Sequence, residues 1–278
     1  VRISEIMSQT VGELARAGVQ NPVLDAELLL SHSLLSDRMR LHVGPDRELT
    51  EDEVRRMGRL VKRRLKFEPI AYILGKKEFY SLEFMVNRDV LIPRPETELV
   101  VDLVVYYAPA GARVADIGTG SGAIAVSVKH SRPDLEVYAV DISKRAVSVA
   151  RRNAAAIVGK NKIKFLHGDL FKPLEGMRFR VIAANPPYID RKHAGSLQKD
   201  LSHEPEAALF SDEGGGEVAE RIVREAEDYL APGGVLIMEI GDTMKDFVQE
   251  TGGRIGFAVS VLNDYAGLPR VAVMKRGD

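Results

Sequence analysis

Asn185-Pro186-Pro187-Tyr188 is the segment of this 278-residue chain whose side chains are best arranged to do chemistry. It directly follows the apolar run Val181-Ile182-Ala183-Ala184. Two adjacent prolines donate no ladder hydrogen bond, so the strand that this run predicts must stop there. Proline also holds the residue before it in extended geometry. The result is a stiff loop at the carboxyl end of a strand, the edge at which open α/β sheets hold their ligands. It presents one side-chain amide, bare carbonyls and an aromatic ring. Such a set suits a planar nitrogen that is held in place while it reacts.

A second segment, Asp116-Ile117-Gly118-Thr119-Gly120-Ser121-Gly122, follows another apolar run and opens a helix. Glycines let the backbone turn tightly and let a ligand approach without meeting a Cβ. Asp141 ends the next apolar run, where an acid accepts hydrogen bonds from ribose hydroxyls. Loop and acid together predict a nucleoside cofactor. Gly118, Gly120 and Ala123 satisfy G-x-G-x-x-A, so spacing alone leaves NAD open. The same loop, with Asp116 before it, resembles the S-adenosylmethionine loop of Rossmann-like methyltransferases. That resemblance makes Gly118, Thr119, Gly120, Ser121, Gly122 and Asp141 cofactor-binding candidates. His167-Gly168-Asp169-Leu170 matches the place where such enzymes contact adenine, which adds Asp169 and Leu170, and Asn185 is a cofactor-binding candidate as well. Asn185-Pro186-Pro187-Tyr188 decides between the cofactors, because nicotinamide chemistry has no use for it.

The elements that must position these residues are legible from periodicity. Strands are predicted over 114–117, 136–140, 163–167, 181–184 and 235–240, with helices between them, one over 144–156 after a capping Ser143. This alternation implies parallel strands joined by right-handed crossovers. The runs 257–262 and 270–274 are separated only by a turn-rich segment and should pair antiparallel at one sheet edge. Upstream, Ile3, Ile6, Met7, Val11 and Leu14 recur at helical spacing, and Asn21-Pro22 starts a second helix. Thr50 with Glu53 forms a capping box for a third. Its apolar stripe is Val54, Met57, Val61 and Leu65, and its other face is basic: Arg55, Arg56, Arg59, Lys62, Arg63 and Lys66. Between Glu78 and Ile92 the pattern becomes that of a β-hairpin. Thr97 is the expected cap of a helix with Leu99, Val100, Leu103 and Val104 facing inward. Gly214-Gly215-Gly216 reads as a loop before a helix over 217–230, placed where it could cover a substrate.

Composition narrows the classes. The chain has no cysteine, which excludes disulfides, thiolate metal sites and cysteine nucleophiles. Its six histidines include no metal-ligand spacing, so no metal is expected. No apolar stretch is long enough to cross a bilayer and no signal-peptide pattern opens the chain, so the expected location is the cytoplasm. The 39 basic and 40 acidic residues nearly cancel, which argues against a broad grip on nucleic acid.

Further segments carry a resemblance over nearly the whole chain. Pro69-Ile70-Ala71-Tyr72-Ile73-Leu74-Gly75, Leu91-Ile92-Pro93-Arg94-Pro95-Glu96-Thr97-Glu98 and Leu201-Ser202-His203-Glu204-Pro205-Glu206-Ala207-Ala208-Leu209 resemble signatures of the PrmC (HemK) family of glutamine methyltransferases. The resemblance implies an α/β Rossmann-like methyltransferase sheet of seven strands, one antiparallel, with a small helical amino-terminal domain. It implies residues 1–75 as a substrate-recognition domain, 76–92 as a hairpin linker and 93–278 as the S-adenosylmethionine-dependent domain. The implied reaction methylates the glutamine of the Gly-Gly-Gln motif in class I peptide-chain release factors, with no membrane and no direct nucleic-acid partner.

An amide nitrogen is a poor nucleophile, its lone pair being delocalised with a rotation barrier of ~18–20 kcal/mol. Asn185 is expected to accept one N–H through its side-chain oxygen and Pro186 the other through its carbonyl, with Tyr188 packed on the amide plane. Pro187 completes the substrate loop. Two other classes share these features. An amino-group methyltransferase for adenine or guanine in DNA or rRNA would add a basic recognition surface. A non-catalytic cofactor-binding module would have no need of the acceptor loop.

Overall fold

The capping box at Thr50 forms as its spacing dictates: the Thr50 hydroxyl accepts from the Glu53 N–H, and the Glu53 carboxylate takes the Thr50 N–H at 2.9 Å. It starts α4 (Glu51–Arg64), which follows α1 (Ile3–Arg16), α2 (Pro22–Ser33) and the short α3 (Met39–Val43), and precedes α5 (Ile70–Leu74). The structure is a computed structural model that describes residues 1–196 and 198–276. The chain divides into two compact units, and Val1–Gly75 with Gln198–His203 form the first.

In that unit Ile3, Ile6, Leu14, Leu29, Leu30, Met57 and Val61 close one apolar core. The Asn21 side chain makes no cap bond on α2; Pro22 at its first position starts the helix with its fixed φ. The basic face of α4 divides. Arg56 donates to the Ser33 carbonyl at 2.9 Å, and Arg63 grips Glu68 at 2.8 and 2.9 Å. Arg55, Arg59, Lys62 and Lys66 stay exposed along one stripe. Arg64, outside the expected face, is buried between Asp25 at 2.6 Å and Asp200 at 3.0 Å.

The second unit begins with the hairpin β1 (Lys76–Phe79) and β2 (Leu82–Met85), paired Phe79 to Leu82. Its two turn residues, Tyr80 and Ser81, have φ of 53° and 57°, the mirror-image turn that matches strand twist. Glycine or asparagine usually supplies it. Here the turn is pinned instead, with the Tyr80 N–H on Glu98 and its hydroxyl on Asp102, both at 2.7 Å.

Strand and helix then alternate: α6 (Glu98–Tyr107), β3 (Arg113–Ile117), α7 (Ala123–Ser131), β4 (Glu136–Asp141), α8 (Lys144–Ile157), β5 (Ile163–His167) and β6 (Phe179–Ala184). A short pair follows, β7 (Ile189–Asp190) and β8 (Phe210–Ser211), with α9 (Glu206–Leu209) between them. The chain then runs through α10 (Glu217–Tyr229), β9 (Leu230–Glu239), α11 (Lys245–Ile255), β10 (Phe257–Asn263) and β11 (Pro269–Arg276). The main sheet has seven strands in the order β10-β11-β9-β6-β3-β4-β5, and only the pairs made by β11 are antiparallel. Strand residues alternate between two cores. Val114, Val137, Val181 and Ile237 pack with α6, α7 and α8, while Ala115, Val140, Ile182 and Leu236 pack with α10 and α11. No described helix is long and apolar enough to cross a membrane.

Candidate active site

Strand β3 has β4 on one side and β6 on the other, so the order of the chain reverses there and leaves a crevice at the carboxyl ends. A cavity of about 450 Å³ occupies it. Its walls bring together the glycine loop after β3, Asp141 after β4, Asp169 and Leu170 after β5, and Asn185, Pro186 and Pro187 after β6.

The loop after β3 turns through Gly118, Gly120 and Gly122 at φ of 77°, 56° and 83°. A Cβ at Gly118 or Gly120 would meet no protein atom, so the space beside both is open. At Gly122 a Cβ would lie 3.1 Å from the Ala150 Cβ, so that glycine serves close packing of α8 instead. The N–H groups of Gly118 and Thr119 both reach the Val140 carbonyl at 2.9 Å. Asp141 uses one oxygen for the Gly120 N–H and the other for the Ser143 N–H, each at 2.8 Å, and burial raises its pKa. It therefore shapes the loop as well as facing the cavity.

Thr119 donates to Asp116 at 2.6 Å. The other Asp116 oxygen has no partner, and burial pushes this carboxyl up to about 7. Asn153, on α8, ties the loop to the hairpin: it donates to the Ser121 and Met85 carbonyls at 2.8 and 3.0 Å and accepts from the Met85 N–H at 2.8 Å.

Asp169 lies in the cavity wall, but Arg221 and Lys172 both donate to one of its oxygens at 2.9 Å and hold the carboxyl below its usual range. Its neighbour Leu170 has φ of 45°, a strained value for leucine, and faces the cavity.

Around Asn185 the structure departs from expectation in two ways. Thr97 caps nothing. Its hydroxyl donates to Glu239 at 2.6 Å and accepts from the Asn185 Nδ2 at 3.2 Å. The buried inner face of α6 is Val100, Val101 and Val104, with Leu99 and Leu103 only partly covered. Tyr188 is turned inward rather than presented as a platform. Its ring packs beside Gly241, and its hydroxyl makes a long 3.5 Å contact with Glu239. Burial, then the charge of Glu239, pushes that phenol up to about 12, so it stays protonated.

Glu239 belongs to no motif that the sequence displays. It ends β9, is 1% exposed, and burial pushes its carboxyl up to about 7. The available signal was a single acid within the apolar run 235–240. Two further residues support the site. Glu204 accepts from the Ile92 N–H at 3.0 Å and from Arg94 at 2.5 Å, which joins two of the three signature segments. Gly215, at φ of 88°, sits so close behind the prolyl loop that a Cβ would be 2.3 Å from the Tyr188 carbonyl oxygen. Among the described residues no cluster of three His, Asp or Glu could hold a metal ion.

A family model described as the methyltransferase small domain matches residues 97–215. A methyltransferase from Pyrococcus furiosus shares the fold, with a TM-score of 0.54 at 20% identity, covering 71% of this chain and 90% of that one. Sheet order, glycine loop and prolyl loop together define a Rossmann-like methyltransferase. The PrmC N-terminal domain model matches residues 5–75. The release factor glutamine methyltransferase of Koribacter versatilis is 38% identical over 278 residues, 99% of this chain and 98% of that protein. The one from Geobacter sulfurreducens is 40% identical over 271 residues, 97% of this chain and 95% of that protein. The chain belongs to the release factor glutamine methyltransferase family.

Proposed function

We propose that this chain moves a methyl group from S-adenosylmethionine to the side-chain amide nitrogen of the glutamine in the Gly-Gly-Gln motif of class I peptide-chain release factors. One observation carries the reading: a single cavity has the open glycine loop and Asp141 in one wall and Asn185, Pro186 and Pro187 in another. The residues fit the cofactor. Gly118 and Gly120 leave room for a ligand against the backbone, and each Asp141 oxygen keeps a lone pair for a ribose hydroxyl after accepting its N–H. When bound, the cofactor supplies a methyl group already activated on a sulfonium.

The chain's own residues position the nucleophile. The Asn185 oxygen and the Pro186 carbonyl accept the two N–H bonds of the substrate amide. Both bonds strengthen as charge grows on nitrogen, which is stabilisation specific to the transition state. The loop is stiffened by its prolines and backed by Gly215, so the acceptors are fixed before substrate arrives. Tyr188 serves the loop from behind, through Glu239. A release-factor substrate also implies a cytoplasmic protein. The direct test offers labelled S-adenosylmethionine with, separately, a release factor, a duplex DNA and a ribosomal RNA. Label on a release-factor glutamine is expected; label on a nucleic acid alone would overturn the reading.

Asp141→Ala is expected to weaken S-adenosylmethionine binding by about 1.5–3 kcal/mol, the worth of hydrogen bonds to a charged group. That is roughly ten- to a hundredfold in Kd. Unchanged affinity by calorimetry would remove Asp141 from the site.

The helical unit of residues 1–75 supplies substrate recognition in this proposal, because specific protein binding needs roughly 800 Å² per partner and a pocket for one amide offers less. The exposed stripe on α4 is the natural surface. Replacing Arg55, Arg59 and Lys62 with glutamate is expected to raise the KM for release factor and leave methylation of a short Gly-Gly-Gln peptide unchanged. Equal losses on both substrates would assign the stripe a structural role.

A further inference from the structure

Asn185 can serve as an acceptor only if its oxygen, and not its nitrogen, faces the substrate. The asparagine side chain does not decide this by itself, since its two ends are nearly the same shape. We propose that Glu239, acting through Thr97, is a positioning residue that locks the Asn185 amide with its oxygen toward the substrate nitrogen. This rests on the reading above that Asn185 accepts from the substrate amide.

The argument follows the hydrogens. The Thr97 hydroxyl has one proton to give. An ionised Glu239 is acceptor-only and takes it at 2.6 Å. The Thr97 oxygen can then only accept, and the group that meets it at 3.2 Å is the Asn185 Nδ2. A flipped amide would set two acceptors against each other. Thr97 thus translates the charge of a buried acid into the direction of an amide in the cavity wall.

The lock depends on Glu239 carrying no proton. A protonated Glu239 can donate to Thr97, whose own proton is then free for the Asn185 oxygen. The flipped amide would offer N–H to a substrate that also offers N–H. The groups around Glu239 set how readily this happens. Burial in the sheet and the nearby Glu96 carboxylate favour the proton; Thr97, Arg270 on β11 and the Tyr188 hydroxyl favour the charge. The balance leaves the carboxyl near 7, so acid should loosen the lock within a mild range.

The test uses the full chain with Thr97→Val, Thr97→Ser and Glu239→Gln. The first and third are expected to lower kcat about tenfold, the worth of one charge-assisted hydrogen bond. Melting temperature and the KM for S-adenosylmethionine should stay near the parent values, and Thr97→Ser, which keeps the hydroxyl, should restore the rate. In the parent chain kcat should fall on the acid side with a midpoint near 7, and Glu239→Gln should abolish that limb. Nitrogen-15 NMR of the Asn185 side-chain NH2 gives a readout independent of substrate: its signals should titrate over the same range, and not in Glu239→Gln. Full kcat in Thr97→Val would overturn the proposal, as would losses tracked by melting temperature and cofactor KM. Signals that titrate in a chain that methylates no glutamine would keep the lock and defeat the acceptor role. Glutamine methylation with signals indifferent to Thr97 and Glu239 would do the reverse.

Discussion

Asn185→Ala is expected to lower the single-turnover rate of methyl transfer about a hundredfold or more, the usual effect of deleting one preorganised polar partner of a developing charge. Affinity for S-adenosylmethionine should remain close to that of the parent chain. The reason for the split lies in how the cavity is built. Asp141 and the glycine loop belong to the ends of β3 and β4, and Asn185 to the end of β6. Asn185 gives its Nδ2 to Thr97, so in the proposed reaction the part of the side chain left for the substrate is its oxygen. Removing it takes away an acceptor whose bond strengthens only as the nitrogen attacks. Rapid-quench assays with saturating release factor and calorimetry on the cofactor measure the two quantities separately. A parental rate in the alanine variant would mean that the acceptor plays no part in the reaction.

Gly215→Ala is expected to damage both stability and turnover, although Gly215 touches neither ligand in the proposed reaction. At φ of 88° an L-residue is strained by about 1–2 kcal/mol. The new methyl would also stand 2.3 Å from the Tyr188 carbonyl oxygen and 2.9 Å from its carbon, backbone atoms that cannot rotate away. Overpacking of that kind costs about 1–3 kcal/mol, for a total of about 2–5 kcal/mol by denaturant titration. Relief requires the prolyl loop to move, and a shift of about 1 Å at reacting groups can cost a hundredfold in rate. Gly214→Ala is the control. Its φ of 73° carries the same backbone strain, but its Cβ would enter open space. It should lose about 1–2 kcal/mol and keep its rate. Equal effects of the two substitutions would show that close packing behind Tyr188 does not matter.

Most of the seven-stranded sheet was legible because its strands hold apolar runs set between turn or capping residues, although β9 starts five residues before its run, across Pro232-Gly233-Gly234. Ser143 illustrates this: it accepts from Ala146 and starts α8 where the sequence places the start. The glycine loop and the Asn185 loop were legible for the same reason, being local chemistry in consecutive residues. Thr97 reads as a cap because a helix does start at Glu98, while the partner of its hydroxyl, Glu239, lies 142 positions away. No local pattern encodes that pairing. Asp169 followed the same rule: its place in the wall was readable, but Arg221, 52 positions on, was not. On α4 the helical period groups Arg56 and Arg63 with Arg59, and only the fold reveals that Ser33 and Glu68 absorb the first two. The helices α3 and α5 have five residues each and α9 has four, too short to show a period.

The distance between Thr97 and Glu239 also sets a clock. Translation proceeds at about 5–20 residues per second, so a gap of 142 residues takes about 7–28 s to cross. Through the last part of that interval the nascent chain holds its Asn185 loop without the strand whose Glu239 fixes Thr97 beside it. Strand β6 waits as well, since β9 is its partner on one side. Until β9 is made, β6 is an apolar edge with unpaired N–H and C=O groups, the kind of surface on which strands of other chains add. A ribosome that stalls between residues 184 and 239 therefore leaves a protein that is inactive and prone to aggregate. Strand β9 brings Glu239 to Thr97 and covers the open edge of β6 in the same event.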